Sequence, residues 1–455
     1  MEKQELRAAT SLAAVFSVRM LGLFMIYPVF AAFARHLAGA TPYKIGLALG
    51  IYGLSQGLLQ MPFGLLSDRL GRKVMIVLGL LVFATGSAVA ASSTTIDGII
   101  WGRVLQGAGA VGAVILALVA DLTAEESRTK AMALVGMTIG FSFLVAIVAG
   151  PAVAGWIGVL GIFWLMAVLA LVGIAITLFI VPAPRRSRIH REAETVPALL
   201  GAILRNPELL RLDFGIFALH AMLTASFLVV PGLLHGALGV SSRDQWIVYL
   251  PVLLISVAIM VPAIILAERH RRMKAVLVGA VAALAVSQVM LAVGGHDVRV
   301  LIAAITIFFA GFNIMEASLP SLVTKTAPSG STGTATGVYS SSQFLGIFVG
   351  GVVGGWVNQA HGTVGVFTFA AVLAAIWLVA AATMRRPSHL TTRVVRVGAR
   401  SAADADRLSA QLLQVPGVAE ALVVPEEGLA YLKVDSRIFD HAKAESIAGA
   451  NYEAV

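Results

Sequence analysis

Several ionisable or strongly polar residues lie inside long apolar stretches of the sequence, where such residues are rare. They are Arg19, Arg103, Gln106, His220, Asn313 and Glu316. A charge at the centre of a bilayer costs roughly 2.5–3.5 kcal/mol even on the mildest scale, so each is a functional hypothesis. Glu316 can bind and release a proton, and so can the imidazole of His220, since the unperturbed pKa of histidine is about 6.5. We predict proton exchange at Glu316 or His220; the alternatives are a fixed ion pair at Glu316 and a packed, structural His220.

The apolar stretches are numerous enough to define the class of protein. Of 455 residues, 58% are hydrophobic and 13% are charged, whereas soluble domains carry roughly 25% charged residues. A span of about 20 residues crosses the hydrocarbon core, and twelve such spans are predicted, at residues 10–33, 43–65, 74–93, 98–120, 131–155, 160–181, 209–233, 245–267, 275–293, 298–323, 333–357 and 364–384. The sequence therefore predicts an all-α membrane protein.

Charge distribution predicts the orientation of these spans. Most Lys and Arg residues of the connections fall on the side that holds the N-terminus, and the other side holds only Arg35, Lys44, Arg243 and Arg299. Because basic loops stay in the cytoplasm, both termini are predicted to be cytoplasmic. The net charge of +9 follows from this asymmetry, so we predict no nucleic-acid partner. The chain has 0 Cys, and no pattern of metal ligands or cofactor contacts is found, so neither a metal site nor a cofactor is expected.

A repeat at an offset of 200 positions relates two halves of the chain. Pro62 and Pro262, Asp68 and Glu268, and Trp156 and Trp356 are three such pairs. Parallel duplication of a six-helix unit is typical of transporters whose halves rock around a central site. We predict an N-terminal half at residues 1–181, a cytoplasmic linker at 182–208 with a surface helix around 196–205, and a C-terminal half at 209–386.

The remaining segment, residues 387–455, is predicted to be a small soluble α+β domain. Alternating patterns indicate strands at 392–398, 417–424 and 429–434, and helical patterns cover 402–413 and 439–447. A βαββα order favours a ferredoxin-like fold, whose last strand must come from residues 451–455. Packing, regulation or self-association of the chain is the expected role of this domain.

The connection between spans two and three carries the most specific motif. It contains Gly64, Asp68, Arg69, Gly71, Arg72 and Lys73. A carboxylate just inside the bilayer needs a cation or hydrogen-bond donors, so Asp68 should be paired. This stretch resembles motif A of the major facilitator superfamily. The resemblance implies that Asp68 and Arg72 form a cytoplasmic latch with Asp121 and Arg128, which favours the outward-open state.

Two further motifs extend the resemblance. Arg103 to Gly107 is similar to motif B of the superfamily, in which an intramembrane Arg faces the cavity. Helix five carries Gly140, Gly150, Pro151 and Gly155, which resemble motif C of drug–proton antiporters, although helix packing alone also explains these residues. The second half departs from the pattern, because residues 268–272 lack both glycines of motif A. That loop should be held less tightly.

These observations predict a transporter rather than an enzyme. The expected function is movement of a small solute across the inner membrane of a bacterium by alternating access, driven by protons and directed outward. The alternative is a membrane sensor that signals through the C-terminal domain. The partners are then the solute, protons and the lipid bilayer. From helix position alone, the substrate cavity is expected near Tyr27, Gln56, Tyr339 and Gln343.

Overall fold

The N-terminal half contains six transmembrane helices. The computed structural model describes residues 3–123, 125–182, 196–385, 390–398, 401–425, 427–435 and 437–450. Helix 1 is Lys3–Met25 and continues as Tyr27–Ala34; helix 2 is Pro42–Leu70; helix 3 is Arg72–Ala91; helix 4 is Ile96–Ala108 and Gly112–Asp121; helices 5 and 6 share Glu125–Phe179. Pro28 and the glycines around Gly109 interrupt helices 1 and 4, which the sequence predicts as single helices.

The C-terminal half repeats this arrangement. Helix 7 is Pro207–Phe227 and continues as Val230–Leu238; helix 8 is Trp246–Arg269; helix 9 is Met273–Gly294; helix 10 is Val298–Thr326; helices 11 and 12 share Thr332–Thr383. The break in helix 7 precedes Pro231 and was not predicted. In the linker, the predicted surface helix is reduced to a 3-10 turn, Pro197–Leu199, followed by Leu200–Ile203, and residues 183–195 lie outside the described part.

In each half the chain reverses at a glycine with positive φ, between helices 5 and 6 and between helices 11 and 12. Gly158 has φ 73° and Gly362 has φ 66°, a conformation that costs glycine little. Among the described residues, nine helical segments are long and apolar enough to span a membrane. Two of them reverse at these glycines, and helix 2 adds a further span. The predicted fold class with twelve transmembrane helices is confirmed.

The C-terminal domain follows the predicted element order. Strands β1, β2 and β3 are Leu390–Arg396, Val418–Val424 and Leu429–Asp435, and the helices are Ala402–Leu412 and His441–Ala450. The sheet has the order β1-β3-β2 with antiparallel pairs, which is that of a ferredoxin-like fold lacking one edge. The predicted last strand at 451–455 lies outside the described residues.

This domain docks on the cytoplasmic end of the C-terminal half. The ammonium of Lys433, which is 1% exposed, donates to the Thr324 carbonyl at 2.6 Å, near the end of helix 10. A cation is favourable there, because the last carbonyls of a helix carry partial negative charge. Arg271 pairs with Asp435 at 3.2 Å, and the Ser329 backbone N–H donates to Glu420 at 3.2 Å.

Close approach of glycines joins the two halves. Helix 2 presents Gly46 and Gly50 to Gly351 and Gly355 of helix 11, where an added Cβ would meet the opposing backbone. Towards the cytoplasm, Gln60 donates to Ser341 at 3.0 Å. On the periplasmic side, the hydroxyls of Tyr27 and Thr224 lie 3.3 Å apart. The described contacts therefore close the periplasmic side of the interface between the halves.

Candidate functional site

Arg72 is the centre of the motif A network. Gly71, with φ 95°, ends helix 2 and starts helix 3, which leaves the Arg72 side chain only 1% exposed. Its Nη1 lies 2.5 Å from Asp68 Oδ1 and donates to the Ser67 hydroxyl at 2.7 Å. Its Nε lies 3.1 Å from Asp121 Oδ2, and the Asp121 side chain is 0% exposed. The pairing expected for Asp68 is thus present.

The network connects helices 2, 3 and 4 of one half. It is present together with the closed periplasmic interface, and the preference for the outward-open state that the resemblance implies for this latch stays a prediction. Arg69 is exposed and Lys73 is half-buried, while Gly64 approaches Ala113 of helix 4. The side chain of Arg128 lies outside the described residues.

The C-terminal half has a different ion pair in the corresponding loop, where Glu268 stands at the position of Asp68. Lys325, at the end of helix 10, lies 2.7 Å from Glu268 Oε1, and the side chains are 17% and 44% exposed. Arg271 stands where the first half has Gly71 and adopts φ 54°, the one positive value at a non-glycine residue among those described. Left-handed backbone is costly for such a residue. This loop is therefore more exposed and more strained than its counterpart.

The intramembrane arginines are enclosed within the N-terminal half. Arg103 donates to the Ala48 carbonyl at 3.2 Å and to Gln106 at 2.9 Å, and its guanidinium lies 4.8 Å from the centre of the Tyr52 ring. Arg19 donates to the Tyr52 hydroxyl at 2.8 Å. Since Arg103 is 1% exposed, it does not face an open cavity in this conformation, contrary to what motif B implies.

The four residues predicted to line the substrate cavity differ in their exposure. Tyr27 and Gln56 are both 0% exposed. Gln56 accepts a hydrogen bond from Arg19. The side chains of Tyr27 and Gln56 therefore do not face an open space in this conformation. Tyr339 is also buried, whereas Gln343 is half-buried. Assignment of the four to a substrate cavity stays a prediction.

The helix 5 glycines differ in what they contact. A Cβ added at Gly150 would meet the backbone of Met25 in helix 1, and one at Gly155 would meet the side chain of Arg243 at 2.8 Å, whereas Gly140 has nothing within 4 Å. Pro151 lies inside the helix. Gly150 therefore packs helix 5 within its half, and Gly155 lies near the other half.

Glu316 and His220 come together in the C-terminal half. Glu316 Oε2 lies 3.8 Å from His220 Nε2, and the same imidazole nitrogen lies 2.8 Å from the Gln343 amide nitrogen. The ring of Phe312, one turn from Glu316, stacks on Phe143 of helix 5 at 5.2 Å. Helices 7, 10 and 11 thus place a carboxyl and an imidazole beside a contact between the halves.

Asn313 takes a structural position, and one buried carboxyl was missed by sequence reasoning. The Asn313 amide donates to Ser256 at 2.8 Å. Asp213 of helix 7 is 6% exposed, and its Oδ2 has no hydrogen-bond partner. The available signal was an Asp inside the predicted span 209–233. Among the described residues, no group of three His, Asp or Glu side chains could hold a metal ion.

Comparison with known proteins decides the family. The model of the Major Facilitator Superfamily matches residues 12–351 and 214–414. The chain belongs to the major facilitator superfamily. A model of the YajR YAM domain matches residues 398–448 of this facilitator, which is the small C-terminal domain.

Relatives agree with this assignment. The facilitator is 45% identical to the inner membrane transport protein YajR of Escherichia coli (strain K12), over 97% of each chain. It is 34% identical to multidrug resistance protein 2 of Bacillus subtilis, over 36% of this chain and 41% of that one. A bacterial homologue of the human lysosomal transporter Spinster, in an inward-facing and occupied conformation, has a TM-score of 0.69 at 13% identity, covering 84% of this chain and 96% of that one. The chain is a YajR-type secondary transporter of the inner membrane.

Proposed function

We propose that this transporter exports a small solute in exchange for protons. The observation that carries the proposal is the placement of Glu316 beside His220, 3.8 Å apart, next to the Phe312–Phe143 contact between the halves. A carboxyl that is alternately wetted and sealed can load a proton on one side and release it on the other. A change in the charge of Glu316 then changes the stability of the Phe312–Phe143 contact beside it.

The charges of the first half suit this role less well. An arginine guanidinium does not deprotonate in proteins, so neither Arg19 nor Arg103 can carry the coupling proton. Lysine and carboxylate groups of the loops are exposed to water on one side only. Glu316 is therefore the first choice, and His220, which is 1% exposed, is the second.

The outward direction rests on a similarity in part of the chain. The name of the Bacillus subtilis relative describes multidrug resistance, and helix 5 carries the glycines of motif C. The sensor alternative has no support from the relatives reported above, which are transporters. Self-association through the C-terminal domain stays a prediction.

The test of coupling is Glu316→Gln in purified protein in liposomes. A resistance screen of a deletion strain with a broad compound panel first supplies a transported solute. Because glutamine mimics the protonated acid permanently, Glu316→Gln should abolish transport driven by a pH gradient while solute exchange continues. His220→Gln should have the smaller effect.

Glu268→Gln is the matched control, since Glu268 is also a glutamate of the C-terminal half but lies at the cytoplasmic surface, 44% exposed. It should keep gradient-driven transport. Full activity of Glu316→Gln combined with loss in His220→Gln would reverse the assignment. If both variants transport normally, protons are not coupled through these residues, and binding without net flux in the wild type would favour a sensor.

A further inference from the structure

Arg19 of helix 1 is a buried cation whose hydrogen bonds are incomplete. It is 2% exposed, and its Nη2 donates to the Tyr52 hydroxyl at 2.8 Å and to the side-chain oxygen of Gln56. Its Nε and Nη1 have no hydrogen-bond partner among the described residues, and the same holds for the Gln56 amide nitrogen. The groups that accept from Arg19, a phenol and an amide, are neutral, so they do not balance its charge.

Arg103 shows how a buried arginine of the same half is satisfied. Its Nε donates to the Ala48 carbonyl at 3.2 Å, its Nη1 to Gln106 at 2.9 Å and its Nη2 to the Leu49 carbonyl at 3.4 Å. Every nitrogen of this guanidinium thus has an acceptor within the protein. An unpaired buried donor is costly, and a guanidinium does not deprotonate in proteins. Arg19 is therefore the arginine to which an acceptor from outside the chain would add most.

The unpartnered Nη1 of Arg19 faces the start of the second part of helix 4. A Cβ added at Gly112, the first residue of the segment Gly112–Asp121, would lie 3.9 Å from Nη1 and 3.6 Å from the Phe16 ring. The glycine thus leaves space beside the guanidinium. Val111 precedes this segment, and its apolar side chain cannot cap the first N–H groups, which carry partial positive charge. An anion in this space would face positive groups on two sides.

The surroundings of Arg19 suit a solute site. Arg19 lies about 14 Å along the helix from Thr10, where the predicted span begins, which is close to half of the roughly 30 Å hydrocarbon thickness. The Tyr52 ring lies 6.4 Å from the Phe344 ring of helix 11, so the cluster adjoins the interface between the halves. Transporters built from repeats hold their substrates near the midplane at this interface. The guanidinium also lies 5.9 Å from the centre of the Phe83 ring, so aromatic groups surround it.

We propose that Arg19 binds the carboxylate of an organic-acid solute, with the Gln56 amide nitrogen as a second donor. The carboxylate supplies the acceptor that Nε and Nη1 lack and balances the buried charge. The aromatic rings around the guanidinium suit an apolar body attached to the carboxylate, which favours an organic acid over a halide ion. The proposal rests on the proposed transport of a small solute, and it does not depend on which residue carries the proton.

Equilibrium dialysis of the full-length protein in detergent against radiolabelled benzoate at neutral pH tests this site. Benzamide, a neutral molecule of nearly the same shape, should bind about 10-fold more weakly than benzoate. Arg19→Gln should weaken benzoate binding by about 10- to 100-fold, the range for a hydrogen bond to a charged group, and leave benzamide binding unchanged. Arg299→Gln, at the exposed start of helix 10, removes the same charge elsewhere and should bind benzoate like the wild type.

Gly112→Ala tests the site while Arg19 stays in place. The added methyl group fills the space beside Nη1 at ordinary contact distances, so the unfolding temperature without ligand should match that of the wild type while benzoate binding weakens. This variant separates loss of the site from misfolding of Arg19→Gln. Gly136→Ala on helix 5, where no described atom lies within 4 Å of the added Cβ, is the control and should bind benzoate normally.

Three results would overturn the proposal. Equal binding of benzoate and benzamide, or unchanged benzoate binding in Arg19→Gln, shows that Arg19 does not recognise an anion. Displacement of benzoate by chloride as strongly as by acetate assigns the site to an inorganic anion instead of an organic acid. If the wild type binds neither benzoate nor acetate, water satisfies the buried donors. Dialysis uses no pH gradient, so each of these results is independent of the transport test of Glu316→Gln.

Discussion

The two halves share one fold but carry opposite charges inside the membrane. The first half encloses Arg19 and Arg103, which donate to carbonyl, amide and hydroxyl groups around Tyr52. The second half holds Asp213, which is 6% exposed, and Glu316, whose side chain is 30% exposed. Each has a buried oxygen that lacks a hydrogen-bond partner among the described residues. Arg19 also has two buried guanidinium nitrogens without a hydrogen-bond partner in the described part of the chain, but a guanidinium does not deprotonate in proteins, whereas a carboxyl can gain or lose a proton. The intramembrane cations of the first half therefore keep their charge, and the acids Asp213 and Glu316 of the second half can change theirs.

The cytoplasmic loops show the same division. The Arg72–Asp121 pair is almost fully enclosed, with side chains 1% and 0% exposed. The pair of the second loop, Glu268–Lys325, is partly exposed, with side chains 44% and 17% exposed. Because solvent screens exposed ion pairs strongly and buried ones weakly, the first pair should matter for stability and the second should not.

Arg72→Gln should have the largest effect on folding. It removes the guanidinium that pairs with the buried carboxylate of Asp121, and removing one partner of a buried ion pair typically costs about 3–5 kcal/mol. Thermal unfolding of detergent-solubilised protein measures this loss. Arg69→Gln, an exposed position in the same loop, is the control and should unfold like the wild type. Equal stability of the two variants would contradict the enclosed network.

Two adjacent glycines of helix 11 offer a second contrast. Gly351 faces helix 2 of the other half, and Gly350 faces Ala221 within its own half. Gly351→Ala should therefore open the contact between the halves and shift the protein away from the state closed to the periplasm. Spin-label distances across the periplasmic mouth should lengthen, with little change in unfolding temperature.

Gly350→Ala should do the opposite, because its Cβ would meet backbone inside one half. It should lower the unfolding temperature and leave the distance distribution unchanged. If both variants change the same quantity, helix 11 does not separate packing within a half from contact between the halves.

Much of this architecture could be predicted from the sequence. Hydropathy gives twelve spans, and the loop arginines give their orientation, because both depend on residue type alone. The pairing of Asp68 was also predictable, since an intramembrane carboxylate needs a partner. The breaks in helices 1, 4 and 7 were missed, because tolerance of Pro and Gly depends on neighbouring helices.

The charge partners of buried residues were harder to predict. Nothing in the sequence indicates that Arg103 would be enclosed by helix 2, or that Asp213 would remain unpartnered, because both outcomes depend on contacts between distant segments. The left-handed Arg271 could be anticipated only from its offset to Gly71 in the repeat. Sequence thus identifies which residues are costly in a membrane, and the fold decides which of them are compensated.

Glu268→Gln tests how much the exposed Glu268–Lys325 ion pair contributes to stability. Loss of a solvent-exposed pair is worth about 0–1 kcal/mol, so the unfolding temperature should change little, and any change should shrink in high salt. Lys325→Gln should behave alike. A loss as large as that of Arg72→Gln would show that the second loop is a latch of equal strength.

The smallest effect is expected where the C-terminal domain meets the loop after helix 8. The pKa of Asp435 lies below its ordinary value of 3.8, because the Arg437 backbone N–H donates to the carboxylate and because Arg271 is close. Arg437 belongs to the same domain as Asp435, so only the lowering of the pKa by Arg271 depends on docking. That part stabilises the docked form above the ordinary pKa of Asp435, and it disappears as pH falls through the lowered pKa. Energy transfer between dyes on the domain and on helix 9 should thus decrease in acid. Asp435→Asn should show weaker docking at neutral pH and a reduced acid response, and Asp406→Asn should match the wild type. An unchanged acid response in Asp435→Asn would assign it to another group.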